Sequence, residues 1–493
     1  MKIICGFNIN IDAIYTINSK EASQLLSKYP QKKLKFLPKS INSISDFING
    51  LAFCMQNGMQ AELLIQNKSV YQFLKDTFLK KSIIRIGGNA GIMANVLSFK
   101  GANVILQAQN SSDTTFSLML EKNNIIINSD ASKSNNCKEY EINFIFDFKK
   151  NDKISFKNKT ITIPRENRFI ASNTNTNYSI NSDFKKYIDT NINEIDGAIF
   201  SGFHVLSKEK YKEFIEYVKS IKQKNKNILI HVELGHFIES EFDEISFIFS
   251  KLSKSVDSIG MNESELAALF KRNHDEILNM DAQCIIDAAI ECKSFSNLKK
   301  IIIHTREFVI SIFDSTFGTN VRWRKPKVFD SSFGTNVRWR KPKVFDSSFG
   351  TNVRWRKPKV FDSSFGTNVR WRKPKVFDAN NKYVEPIIEL KALQYGIKSV
   401  ARFAAIGTLD NDKIGCKLYK SESGLNQMIN LMRNINGIQY ESGFFGFYKN
   451  QMVCMVPTFL CENPISTVGL GDTIIANIFL KQLQYRKSIK ATL

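Results

Sequence analysis

The densest chemistry in the chain lies near its C-terminus, in Ser466-Thr467-Val468-Gly469-Leu470-Gly471-Asp472-Thr473, followed at once by an apolar, helix-compatible run over 474–483. Two glycines let the backbone turn tightly and aim its N–H groups at one point. A helix start adds its positive dipole end, and a carboxylate stands beside both. Backbone donors of this kind can hold a phosphoryl group in transit while Asp472 takes the proton of an attacking hydroxyl. That is the positioning and electrostatics that phosphoryl transfer needs. The plainer reading is a glycine-rich turn with Asp472 as the N-cap of a helix.

Other constellations suit the same chemistry. Asn8-Ile9-Asn10-Ile11-Asp12 closes a first strand, where ligands of open α/β sheets bind, and its short polar groups can hydrogen-bond a polyol or simply make a turn. Gly87-Gly88-Asn89-Ala90-Gly91 opens a helix, with glycines permitting close backbone approach and Asn89 offering a donor and an acceptor. His231-Val232-Glu233 ends another strand, and the two-residue period puts His231 and Glu233 on one face. Asn262-Glu263-Ser264-Glu265 starts a helix after the next strand and reads as a capping box. Together with Glu233 it also offers carboxylates that can hold Mg²⁺ through water while phosphates supply the remaining ligands. Arg165 and Arg168, in Pro164-Arg165-Glu166-Asn167-Arg168-Phe169-Ile170, are suited to grip a diphosphate, or to make surface ion pairs.

Positioning such groups calls for strands that end at one edge. Short apolar runs at 3–7, 104–108, 198–200, 228–232, 258–261 and 301–304 read as buried strands; helical stretches at 90–98, 208–222, 263–271, 285–292 and 387–406 lie among them. The fold class is α/β, a Rossmann-type, mostly parallel sheet flanked by helices. From Lys138 to Ile163 the texture changes: Tyr140, Ile142, Phe144, Phe146 and Phe148 alternate with polar residues, as in an antiparallel sheet solvated on one face. A smaller β-rich lid subdomain accounts for it.

Of 493 residues 43% are hydrophobic, enough for a large core. No run of 18 apolar residues exists and the N-terminal sequence enters a strand directly, so neither a membrane span nor a secretory signal is expected, and a cytoplasmic location is. The eight cysteines are scattered without metal-ligand spacing, consistent with reduced thiols. The net charge of +22 resembles a nucleic-acid signal, but residues 314–377 are four near-copies of one 16-residue unit with four basic residues and one acidic residue each. That block therefore carries +12 of the charge and all four tryptophans, Trp323, Trp339, Trp355 and Trp371. The copies differ only at Thr316, which points to a recent tandem expansion and a surface excursion instead of a diverged solenoid. Basic residues interleaved with Trp and Phe also suit single strands, but no other segment resembles a nucleic-acid module, and a nucleic-acid partner is not expected.

In this order along the chain, the motifs from Gly6 to Asp12, Gly87 to Asn95, Pro164 to Ile170, Ser201-Gly202, His231 to Glu233, Asn262 to Glu265, His304-Thr305 and Ser466 to Thr473 resemble the ADP-dependent sugar kinases of the ribokinase superfamily. The repeat is no part of that pattern. The resemblance implies a ribokinase-like fold with a large discontinuous domain over 1–12, 64–130 and 173–493, and a lid over 13–63 and 131–172. It implies transfer of the β-phosphoryl of ADP to a sugar hydroxyl, in glycolysis, with Mg²⁺ required. Asp472 matches the catalytic base and the backbone of Gly469, Leu470 and Gly471 the anion hole. Asn10, Asp12, Gly88 and Asn89 match sugar-binding positions; Arg168, Asn262 and His304 match nucleotide-binding ones; Glu233, Glu265 and Asp472 match the metal-associated ones. Ala61-Glu62-Leu63 resembles the glucokinase branch, in which a glutamate binds a sugar hydroxyl. Glucose is thus the expected acceptor, with fructose 6-phosphate as the alternative and an impaired kinase body carrying a basic, nucleic-acid-binding repeat as a second.

Overall fold

The structure is a computed structural model that describes residues 1–29, 36–107, 117–127, 142–156, 159–173, 179–235, 242–270, 273–296, 298–314, 384–406, 409, 417–461 and 469–492. The tandem repeat beyond Asp314, and Ser466 to Val468, lie outside the described residues.

An eleven-stranded sheet forms the body. Across it run Ile438–Tyr440, Gly443–Tyr448, Gln451–Pro457, Phe308–Phe313, Lys300–His304, Ser258–Asn262, Leu229–Glu233, Gly197–Phe200, Lys2–Gly6, Asn103–Leu106 and Ile125–Ile127. From Lys300–His304 to Ile125–Ile127 every pairing is parallel, and the remaining pairings are antiparallel. The parallel strands are continuous apolar runs because helices cover both faces. Ile4, Ala198, Phe200, Ile230, Val232, Ile259 and Ile301 pack into one layer, and Ile3, Cys5, Ile199 and Ile302 into the other, beneath the helices Asn89–Phe99, Val384–Ile406 and Leu470–Thr492. All six strands expected in this part of the chain are present. Later strands are added on opposite sides of Lys2–Gly6, which makes its carboxyl end the switch point where such sheets bind ligands.

A five-stranded sheet, in the order Ala61–Leu64, Asn167–Ser172, Ile142–Phe148, Asn10–Thr16 and Ile83–Gly87, forms the second unit. Its packed face buries Ile11, Ala13, Tyr15, Phe144, Phe146, Phe148 and Phe169 against the helices Ser19–Lys28, Ile44–Asn57 and Lys68–Phe78. The boundary drawn after residue 63 divides this unit. Segment 64–87, assigned from sequence to the large domain, supplies its third helix and an edge strand, because Arg85 and its neighbours pair with Asn10–Thr16. The alternation from residue 142 is present as expected, but the second face of that strand is not open to water, since Asn143 and Ile145 are buried. Among the described residues no helix is long and apolar enough to cross a membrane, and Cys5, Cys54, Cys284, Cys292 and Cys454 are free thiols.

Candidate active site

Three chain turns converge beyond the carboxyl end of Lys2–Gly6. The N–H of Gly91 donates to the Asn8 carbonyl at 3.2 Å, and Gly88, at φ +72°, caps the helix Asn89–Phe99 where a Cβ would meet Asn8 O at 2.6 Å. Gly469, at φ +73°, turns into the C-terminal helix, which begins at Leu470. Asp472 is therefore inside the first helical turn and is not its N-cap. The N–H groups of its first turn lack carbonyl partners within the helix, which leaves the Gly469–Gly471 backbone able to bind an anion. Asn89 Nδ2 donates to Asp472 Oδ1 at 2.8 Å. This ties one helix start to the other and gives Asn89, expected at the sugar, a second task in orienting the carboxylate. Burial pushes Asp472 up to about 6 and Glu233 adds to the rise, while Asn89, His304 and Arg168 oppose it. A carboxylate poised there is ionised at neutral pH yet basic enough to take a proton.

The adjoining strand ends hold the next group. His231 Nε2 lies 2.9 Å from Glu233 Oε1, and His304 Nε2 lies 3.0 Å from Glu233 Oε2. Burial disfavours both charges, but His304 and Glu233 stabilise each other, so His304 rises to about 9 and Glu233, also bonded by His231, falls to about 2. The pair is ionic at neutral pH. A Cβ on Gly471 would lie 3.1 Å from His304 Cε1, so the imidazolium sits under the diglycine turn. Asn262 and Glu265 form the expected capping box: Glu265 N–H donates to Asn262 Oδ1, and Asn262 N–H to Glu265 Oε2, each at 2.9 Å. Asn262 Nδ2 also donates to Glu265 Oε1 at 2.9 Å.

A hard divalent cation fits this region chemically. Burial, with Glu233 and Glu263 adding and His304 opposing, pushes Glu265 up to about 8, and burial likewise raises Glu263. Crowded carboxylates of this kind are stabilised by a nearby cation. Among the described residues no three His, Cys, Asp or Glu side chains form a ready-made cage. Mg²⁺ is an ion of this class that keeps its waters and draws further ligands from phosphates.

The face of the smaller sheet opposite its helices carries the remaining expected residues. Asn10 pairs with Gly87, and Asp12 with Arg85 and Asn143. The Asp12 carboxylate lies so close over Gly87 that a Cβ there would be 2.1 Å from it. Burial raises Asp12 to about 7, with Arg85 and Arg168 pulling down and Glu62 and Asp472 pushing up. Burial also raises Glu62, against a hydrogen bond from Ser172 and the charge of Arg168. Arg168 stands opposite Asp147 on the neighbouring strand and within electrostatic reach of Asp12, Glu62 and Asp472. It belongs to the carboxylate-rich face as much as to a phosphate site. Arg165 is exposed and acts on Glu263 instead.

Two residues of this face, Arg85 and Asp147, were missed in the sequence. Arg85 and Asp147 interact with each other and with Arg168, and burial lowers the first and raises the second. Asn143 Oδ1 accepts from Asn173 N–H at 2.8 Å and Ser172 Oγ at 3.3 Å. The signal was available for Arg85, the polar member of the alternation Ile84-Arg85-Ile86, but its partner Asp12 lies far away in the chain.

Residues 1–323 match the conserved region described as ADP-specific phosphofructokinase/glucokinase. The ADP-dependent glucose/glucosamine kinase of Pyrococcus furiosus is 28% identical over 336 residues, covering 63% of this chain and 72% of that protein. The ADP-specific phosphofructokinase of the same organism is 23% identical over 519 residues, covering 98% of this chain and 96% of that one. Among solved structures, an ADP-dependent kinase complex with fructose-6-phosphate and ADPβS superposes with a TM-score of 0.71 at 20% identity, covering 98% of this chain and 93% of that chain. A hypothetical ADP-dependent phosphofructokinase from Pyrococcus horikoshii gives 0.65 at 21% identity, covering 99% and 98%.

Proposed function

The chain belongs to the ADP-specific phosphofructokinase/glucokinase family, and from that premise we propose that it transfers the β-phosphoryl group of ADP to the 6-hydroxyl of glucose, giving glucose 6-phosphate and AMP. Asp472 takes the hydroxyl proton, with Asn89 aiming its carboxylate. The Gly469–Gly471 backbone holds the phosphoryl group in transit, where the helix start favours negative charge. The His304 imidazolium beneath the turn adds a fixed positive charge. Mg²⁺, associated with Glu233, Glu265 and Asp472, would neutralise charge on the diphosphate. Asn262, His304 and Arg168 face the nucleotide phosphates, while Asn10, Asp12, Glu62 and Gly88 hold the sugar. An Asp12 carboxyl near pKa 7 can both donate to and accept from a sugar hydroxyl.

The observation that carries the choice of glucose is the charge of the smaller sheet's face, where Asp12, Glu62 and Asp147 stand with Arg85 and Arg168. Each guanidinium there already has a carboxyl partner, so the face offers little spare positive charge to a second phosphate and favours hydroxyl groups. Fructose 6-phosphate is the alternative acceptor, supported by the two arginines, each of which already faces Asp147. Rates with each acceptor and either ADP or ATP, read as AMP release, test the proposal: it requires ADP with glucose to be the best of the four combinations.

A further inference from the structure

The strand Ser258–Asn262 lies between the two strands that carry His231, Glu233 and His304, and its contribution to the site goes beyond the capping box. In register, Ser258 stands opposite His231, Gly260 opposite Glu233, and Asn262 opposite His304. Ile259 and Met261 go into the core on the other side, so Ser258 and Gly260 face the C-terminal helix with His231 and Glu233. His231, 1% exposed, lies 6.2 Å from the Phe479 ring of that helix, centroid to centroid. Ser258, 3% exposed, has its Oγ 2.7 Å from His231 Nδ1.

We propose that Ser258 and Gly260 are positioning residues of the transfer reaction, which hold the array His231–Glu233–His304 beneath the turn at Gly471. The inference rests on the family reading of that turn as the phosphoryl site. The Glu233 carboxylate takes a ring nitrogen of His231 on Oε1 and one of His304 on Oε2, so His231 donates to it through Nε2–H. Nδ1 is then left to the Ser258 hydroxyl, which lies 2.7 Å away and donates to it. Ser258 thereby reinforces the tautomer that Glu233 favours and fixes one ring orientation of His231, as outer partners of functional histidines do. Gly260 acts by its lack of a side chain. A Cβ at this position would lie 1.6 Å from Glu233 Oε1 and 3.0 Å from His231 Nε2. The Glu233 carboxylate occupies that space, and from there its second oxygen reaches His304, whose ring lies under Gly471.

The test combines turnover with ¹⁵N NMR of histidine-labelled full-length protein. Wild-type protein is expected to show His231 as a single Nε2–H tautomer. In Ser258→Ala the hydrogen-bonded ¹⁵N shift of His231 Nδ1 is lost and kcat falls by about tenfold or more, the usual effect of removing an outer partner, while the KM for glucose changes less than about twofold because the sugar face is untouched. Ser258→Thr, which keeps the hydroxyl, is expected to restore both the hydrogen-bonded Nδ1 shift and most of kcat. Gly260→Ala is expected to lower kcat further than Ser258→Ala does. The proposal is overturned by a Ser258→Ala protein with wild-type kcat, by loss of melting temperature alone, or by a Ser258→Thr protein as slow as the alanine variant. Should Ser258→Ala not fold, the wild-type spectrum decides, since an Nδ1–H tautomer contradicts the proposal. The NMR signal needs no substrate. A wild type that phosphorylates neither sugar would thus remove the functional reading while the assignment of Ser258 still stood or fell by the imidazole spectrum.

Discussion

The two sheets present their polar groups in different ways. In the body, Glu233, Asn262 and His304 end parallel strands, His231 stands two residues before Glu233, and both histidines bond the Glu233 carboxylate beneath a helix start. In the smaller sheet Asp12, Arg85, Asp147 and Arg168 stand within strands, in cross-strand pairs on a flat face. Strand ends joined to a helix start make a fixed electrostatic pocket, suited to charge that develops during reaction. A face of paired side chains reads the shape and charge of a bound molecule. Removing a group from the body should therefore cost kcat, and removing one from the smaller sheet should cost KM.

The largest test of that division is Asp472→Ala. Loss of the base is expected to lower kcat by about 10²–10⁴-fold while ADP affinity, measured by calorimetry, stays near wild type. A comparable loss of ADP affinity would mean that Asp472 binds and does not catalyse. On the other sheet, Glu62→Ala is expected to raise the KM for glucose by about tenfold, as one hydrogen bond to a charged group is worth roughly 1.5–3 kcal/mol, with kcat little changed and fructose 6-phosphate use less affected. An unchanged preference would remove Glu62 from the sugar site.

Asn89 joins the regions and sharpens the comparison. Its hydrogen bond holds Asp472 down, so Asn89→Ala should raise the Asp472 pKa and move the acidic limb of kcat/KM for the free enzyme upward from about 6. A limb that stays in place would separate Asp472 from the observed titration.

The smallest effect concerns stability. Glu265 titrates at about 8 in the folded chain, above the ordinary carboxyl value of 4.5. Between those values the folded state holds more protons than the unfolded state, so this group's stability contribution is greatest at low pH and declines as pH rises towards 8. Glu265→Gln should flatten that part of the pH–stability curve of ligand-free protein in denaturant melts. An unaltered slope would mean that Glu265 is not the group responsible.

These distinctions were partly legible in the sequence. The two-residue period put His231 and Glu233 on one face, and the diglycine turn before an apolar run announced a helix start beside Asp472. Periodicity assigns a residue to a face, however, and leaves open which strand lies alongside. Ser258 reads as an ordinary strand residue until it is paired with His231, 27 positions earlier. Arg85 fell in a segment assigned to the large domain, because its alternation does not reveal that it joins Asn10–Thr16. Asn89 was legible as a polar residue at a helix start, but its bond to Asp472 spans 383 positions and depends on the whole fold.

The most direct measurement is AMP release by the full chain given ADP and glucose, with Asp472→Ala alongside. The account requires stoichiometric AMP and glucose 6-phosphate from the wild type, slower turnover with ATP or fructose 6-phosphate, and near-complete loss in the variant. Equal turnover by the variant, or no product from ADP and glucose, would contradict it.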